Sequence, residues 1–171
     1  GPLFAEQDLR SRHGVSEPAD AFARRVAESI DIAALQSAIG LLATSTKNNL
    51  KAADRFRAVL KAHQNGEPAM MIVSALLEAA LKDDGAAYAN PVTETFARDQ
   101  PMAARTISQL TDLAVSARDT LNAIERAEDA VAAMALALKL DQAYAEAKAR
   151  AGVLDFDDLI ENAQTLLQRS E

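Results

Sequence analysis

Residues 107–138, ISQLTDLAVSARDTLNAIERAEDAVAAMALAL, decide the fold. Ile107, Ala114, Leu121 and Ala135 recur at multiples of seven, interleaved with Leu110, Ala117, Ile124, Val131 and Leu138. Such alternating three- and four-residue steps lay an apolar seam along an α-helix, and Glu128 interrupts this one at a single core slot. After Pro101 neither Pro nor Gly appears until Gly152, which stands where a C′ glycine ends a helix. A continuous helix over residues 101–151 would span about 75 Å at 1.5 Å per residue. A break near Glu128-Asp129 would instead give two helices able to run antiparallel. The seam reads first as packing inside the chain's own bundle, and second as a coiled-coil surface for another copy.

Shorter helices precede it. Ser16-Glu17-Pro18 reads as a cap followed by a proline in the first turn, with Phe22, Val26 and Ile30 at helical spacing behind it. Asp31 caps a second helix, whose stripe is Leu35, Ile39 and Leu42 and which ends near Thr44-Ser45. A third, from about Thr46 to His63, turns Leu50, Phe56, Val59 and Leu60 inward. Asn65-Gly66-Glu67-Pro68 breaks it, with the glycine at C′. A fourth runs from about Pro68 to Lys82 on an apolar side of Met71, Ala75, Leu76 and Leu77. Asp83-Asp84-Gly85 ends it and Asn90-Pro91 marks a turn, before a short helical turn from Thr93 to Arg98.

Beyond Gly152, Asp155 is a good N-cap, and Asp157 and Asp158 fall in the first turn, where the helix dipole favours carboxylates. Leu154 and Leu159 have the spacing of a hydrophobic staple. Leu159, Ile160, Ala163, Leu166 and Leu167 then form an apolar face that needs a partner, and Phe156 beside the cap suits packing across a domain boundary.

Composition agrees with a helical reading. The chain is 49% hydrophobic but only 4% aromatic, and its apolar content is dominated by Ala and Leu, which favour helices over strands. The expected fold is all-α, a helical bundle built around one long helix, whole or broken. Its organisation runs from a charged, aperiodic start over 1–15, in which Gly1-Pro2 reads as a cloning remnant, through a helical subdomain over 16–154, to a departing helix over 155–171.

The same residues exclude several chemistries. With no cysteine there is no disulfide framework or thiolate metal site, which fits a reducing cytoplasm. No apolar run has the length of a membrane span, so no membrane partner is expected. His13 and His63 are isolated and do not share a helix, which rules out a two-His zinc motif. The spacing of Asp155, Asp157 and Asp158 is that of capping rather than of metal ligation. No serine or threonine has a His/Asp constellation near it, and no glycine-rich phosphate loop exists. The chain therefore carries no catalytic residue, metal site or cofactor of its own.

The net charge of −7 opposes general nucleic-acid affinity, so any DNA contact needs a local basic patch. One segment supplies it: Lys47, Lys51, Arg55, Arg57 and Lys61, opposed locally by Asp54 alone. Lys47, Lys51 and Arg55 stand at i, i+4 and i+8 on one helix face. An ordinary solvated face is the competing reading. If the face meets DNA, it meets phosphates and not base edges.

Two stretches carry a family likeness: Tyr144-Ala145-Glu146-Ala147-Lys148, and Gly152-Val153-Leu154-Asp155-Phe156-Asp157-Asp158-Leu159-Ile160. Together they resemble the LDFDDL signature of UvrD-like superfamily 1 DNA helicases, most closely the AddA-type helicase–nucleases of double-strand-break repair. In that family the signature lies where the chain leaves the inserted helical 1B subdomain for the first ATPase domain. The resemblance implies an excised 1B-like piece of a bacterial, cytoplasmic enzyme, with Asp155, Phe156, Asp157, Asp158 and Leu159 as signature residues. ATP and magnesium would belong to the parent, whose ATP hydrolysis drives translocation while this insertion steers the duplex. The implied partners are duplex or forked DNA, the parent's remaining domains and a partner subunit. A stand-alone module that binds a partner helix through the 107–138 seam is the alternative.

Overall fold

The structure is a computed structural model, and it describes residues 8, 10–12, 14–154 and 156–168, leaving aside the side chains of 157, 158, 161 and 162. Seven helices are named among the described residues: α1 Ala19–Ser29, α2 Ile32–Ala43, α3 Lys47–Gln64, α4 Ala69–Ala80, α5 Glu94–Asp99, α6 Pro101–Ala151 and α7 Phe156–Gln168. The fold is all-α, and a single isolated bridge between Leu81 and Ala87 is the extended pairing given for the described residues. No single described helix is long and apolar enough to cross a membrane.

Helix ends follow local chemistry closely. The Asp31 carboxylate accepts from Ala34 N at 2.9 Å, and the Thr93 hydroxyl accepts from Phe96 N at 3.4 Å; each satisfies an otherwise orphaned first-turn donor. Gly66 closes α3 at φ +65°, with Gly66 N donating to His63 O and Glu67 N to Ala62 O. Gly152 closes α6 in the same paired pattern at φ +64°, through Ala149 O and Lys148 O. One start differs from expectation. Pro18 itself is the N-cap of α1, and its carbonyl accepts from Phe22 N at 3.0 Å, while Ser16 makes no cap bond. Glu17 turns instead to an ion pair with Arg25.

The chain divides into two compact units, residues 1–127 and 128–171. In the first, α3 packs against α2 and α4, and α4 also meets α1. Phe56, Leu35, Leu42, Leu76, Val59 and Val73 are fully buried, and Ile107, Leu110, Ala114, Ala117 and Ile124 of α6 enter the same core. Each buried Leu or Phe contributes about 1.5–3 kcal/mol by leaving water. The seam from Ile107 to Ile124 is thus used inside the chain. Among the described residues α6 passes Glu128-Asp129 unbroken.

Two inward faces are rotated from their expected settings. In α3 the core-facing position of the first turns is Asn49, with Ala52 and Ala53, whereas Leu50 is exposed. In α4 the buried face is Ile72, Val73, Leu76, Ala79 and Ala80, and Met71 points to solvent. This helix is apolar nearly all round, so its neighbours, not its own pattern, select the inward side.

In the second unit, Leu136, Leu138, Leu140 and Tyr144 of α6 are exposed, as are Phe156, Leu159, Ile160, Leu166 and Leu167 of α7. Leu154 is exposed too. The expected cap Asp155 lies outside the described residues.

Leu76→Ala should lower unfolding stability by about 2–5 kcal/mol, and Met71→Ala by less than about 1 kcal/mol, since only the first opens a cavity. Urea denaturation followed by circular dichroism checks the difference; equal losses would contradict the α4 orientation.

Candidate nucleic-acid interface

The basic helix α3 is tied to the segment that faces it by one buried amide. Asn49 is wholly inaccessible, and its Nδ2 donates to Ser45 Oγ at 2.9 Å and to Thr93 Oγ1 at 3.0 Å. Its Oδ1 accepts from Thr93 N at 3.0 Å. Buried amides persist only when satisfied, and this one is satisfied by both ends of the connection it makes. Thr93 is in turn the N-cap of α5, so the position of residues 88–94 beside α3 is set by side chains and not by a sheet or a longer helix.

A second tie lies nearly two turns further along α3. Arg55 Nε donates to Ala79 O, near the end of α4, at 2.9 Å. Its Cζ sits 4.1 Å from the centroid of the Tyr88 ring, within the range of a cation–π contact. The chain reaches Tyr88 through a tight reversal in which Lys82 N donates to Ala86 O at 2.8 Å, Ala86 N donates to Asp84 Oδ1 at 3.0 Å, and Gly85 has φ +79°. Arg118 of α6 donates to Gly85 O and also pairs with Asp119 at 2.8 Å. The 81–93 connection is therefore held from α3, α4 and α6.

Between α3 and this connection lies an open groove of about 340 Å³, lined by Lys51, Arg55, Asn48, Tyr88, Asn90 and Glu94 together with Asn49 and residues 91–93. The five expected DNA-contacting residues divide about it. Lys51 and Arg55 line it. Lys47 and Lys61 are exposed on α3 outside it, and Arg57 is ion-paired with Asp54. The structure brings Lys47, Lys51 and Arg55 onto one side of α3, as their spacing requires, but Arg55 is half-buried and partly committed to the fold. Tyr88 and Asn49 were not legible as parts of this surface, because their partners Arg55 and Thr93 are distant in the chain, Thr93 lying 44 residues from Asn49.

Of the signature residues, Phe156 and Leu159 are exposed, Phe156 at 75%; Asp155 and the side chains of Asp157 and Asp158 lie outside the described residues. His63 is exposed near the end of α3, and His13 lies outside the described residues. Among the described residues no three His, Asp or Glu side chains converge in a way that would hold a metal ion.

No family model, curated protein or solved structure matches this chain.

Asn49→Ala would leave Thr93 N without its buried acceptor, at a cost of about 1–3 kcal/mol. Hydrogen exchange should accelerate at the amides of residues 92–96 more than in α1 or α2. A uniform change across the first unit would argue against a local tie.

Proposed function

We propose that this chain is an accessory, DNA-engaging helical subdomain of an AddA-type ATP-dependent DNA helicase–nuclease acting in bacterial double-strand-break repair. The observation that carries the reading is the cationic side of α3, where Lys47, Lys51 and Lys61 are exposed and enter no ion pair among the described residues, in a chain of net charge −7. An acidic protein that keeps one helix face basic presents a local track for a phosphate backbone while repelling it elsewhere. The likeness of residues 144–148 and 152–160 to the helicase signature points the same way. The exposed apolar residues of α7 and of the end of α6 support an arrangement in which further protein covers this part of the chain.

ATP and magnesium are assigned to the parent enzyme, since the sequence of this chain has no glycine-rich phosphate loop. The role proposed here is to grip the duplex ahead of the motor through phosphates, with the parent's other domains and a partner subunit as protein contacts and the cytoplasm as its compartment.

A second reading rests on the same exposed leucines. In an interaction module, Val131, Leu138 and the apolar side of α7 would receive a partner helix, since the earlier part of the seam is already buried. Such a module would associate with concentration and ignore DNA.

Fluorescence anisotropy with labelled fork and blunt duplex separates the two. Binding should weaken steeply with salt, and the Lys47→Glu/Lys51→Glu/Lys61→Glu variant should bind poorly, with a salt slope shallower by about 0.9 for each phosphate it no longer neutralises. Equal binding by the variant would move the interface off α3. Absence of binding at low salt, with oligomers forming in sedimentation, would favour the second reading.

A further inference from the structure

The α3 groove contains a guanidinium whose fold-imposed duties leave its recognition end unused. Arg55 commits Nε to Ala79 O and its face to Tyr88, and neither terminal nitrogen has a hydrogen-bond partner among the described residues. A fork fixed in this way has lost the rotamer freedom that ordinarily opposes bidentate binding, and it matches two oxygens of one tetrahedral or planar anion. Lys51 lines the same groove one helical turn earlier and is exposed. Asn48 and Asn90 add side-chain amides to the lining. At about 340 Å³ the space is at the small end of ligand pockets, suited to a single backbone unit and not to a base pair.

The charge balance narrows the anion. Glu94 lines the groove too, so Lys51 and Arg55 face one carboxylate and leave a single net positive charge. A phosphodiester carries one negative charge and meets that balance. A terminal phosphate monoester carries about −1.5 to −2 and has a third non-bridging oxygen, for which the groove lining offers no cation beyond Lys51 and Arg55.

We propose that this groove seats one internal phosphodiester of a DNA strand, its non-bridging oxygens on the terminal nitrogens of Arg55 and on the Lys51 ammonium, with the Glu94 carboxylate moderating the affinity. The proposal rests on the DNA-engaging reading above and specifies where that contact is registered. Lys47 and Lys61 then act as a diffuse field around one defined seat.

The test follows amide shifts of the isotope-labelled full chain during titration with three probes: a short duplex with hydroxyl ends, the same duplex with 5′-phosphates, and inorganic phosphate. The hydroxyl-ended duplex should move the amides of Asn48, Lys51, Asn90 and Thr93, and the added end phosphates should not increase affinity. Arg55→Lys keeps the charge but loses the fork, and should weaken binding about tenfold, the equivalent of one hydrogen bond to a charged group. Should that variant disturb the 81–93 connection, two exposed positions carry the test. Lys51→Gln should weaken binding and Glu94→Gln should strengthen it several-fold, beyond an Asp20→Asn control of equal charge change.

Shifts confined to Lys47 and Lys61, with Arg55→Lys harmless, would overturn the seat and leave the DNA reading standing. A response to inorganic phosphate or to 5′-phosphates that exceeds the response to the plain duplex would overturn the diester assignment. Silence toward both duplexes would overturn the DNA reading and the seat together. A Glu94→Gln effect no larger than that of Asp20→Asn would overturn the role of Glu94.

Discussion

The first unit depends on one buried carboxamide. Asn49 sits on the inward side of α3 where the hydrophobic pattern would place an aliphatic residue, and it is fully enclosed. Burying an amide costs free energy unless each polar atom is matched, so this position tolerates only an arrangement that delivers Ser45 and Thr93 to it. Delivering Thr93 fixes the start of α5, and through it the return of the chain into Pro101 and α6. Apolar burial supplies most of the stabilisation, but it is non-directional. The amide adds the direction: it holds the 88–94 segment against the basic helix, and the groove between them exists for that reason.

Arg55 shows the same economy at the edge of that contact. Its position is set by Ala79 at the end of α4, a core residue, and by Tyr88 of the 81–93 connection. A cation anchored by its stem and ring face differs from a lysine on a free stem, which must surrender rotamer entropy each time it meets an anion. The basic segment of α3 is therefore two kinds of surface. Lys47 and Lys61 shape the local field, whereas Arg55 presents a fixed geometry.

What was legible in the sequence was mainly what is encoded within a few residues. Asp31, Gly66 and Gly152 act at helix ends through bonds spanning at most five positions, so their roles follow from composition at the boundary. The heptad seam of α6 was legible from Ile107 to Ile124 because a long run without Pro or Gly leaves little competition, whereas its expected continuation at Ala135 and Leu138 is exposed. The orientation of α4 was not, since Met71 and Ile72 offer similar hydrophobicity and only packing against α1 and α3 distinguishes them. Leu50 and Asn49 were exchanged for a related reason: an asparagine beside a leucine reads as the solvent-facing member of the pair. The cationic residues of the site were visible as a spaced row. Their division into ion-paired Arg57, anchored Arg55 and exposed lysines depends on Asp54, Ala79 and Tyr88, of which only the first is nearby in the chain.

The placement of the tyrosines has an optical consequence. The chain has two tyrosines and no tryptophan, and Tyr88 falls in the first unit while Tyr144 falls in the second. Near-ultraviolet emission therefore comes from one intrinsic chromophore per unit, in unlike surroundings: Tyr88 half-buried with a guanidinium over its ring, Tyr144 exposed with the Lys148 ammonium 4.9 Å from its centroid. Replacing either ring with phenylalanine silences one half of the molecule and leaves the other to report alone, without an attached dye.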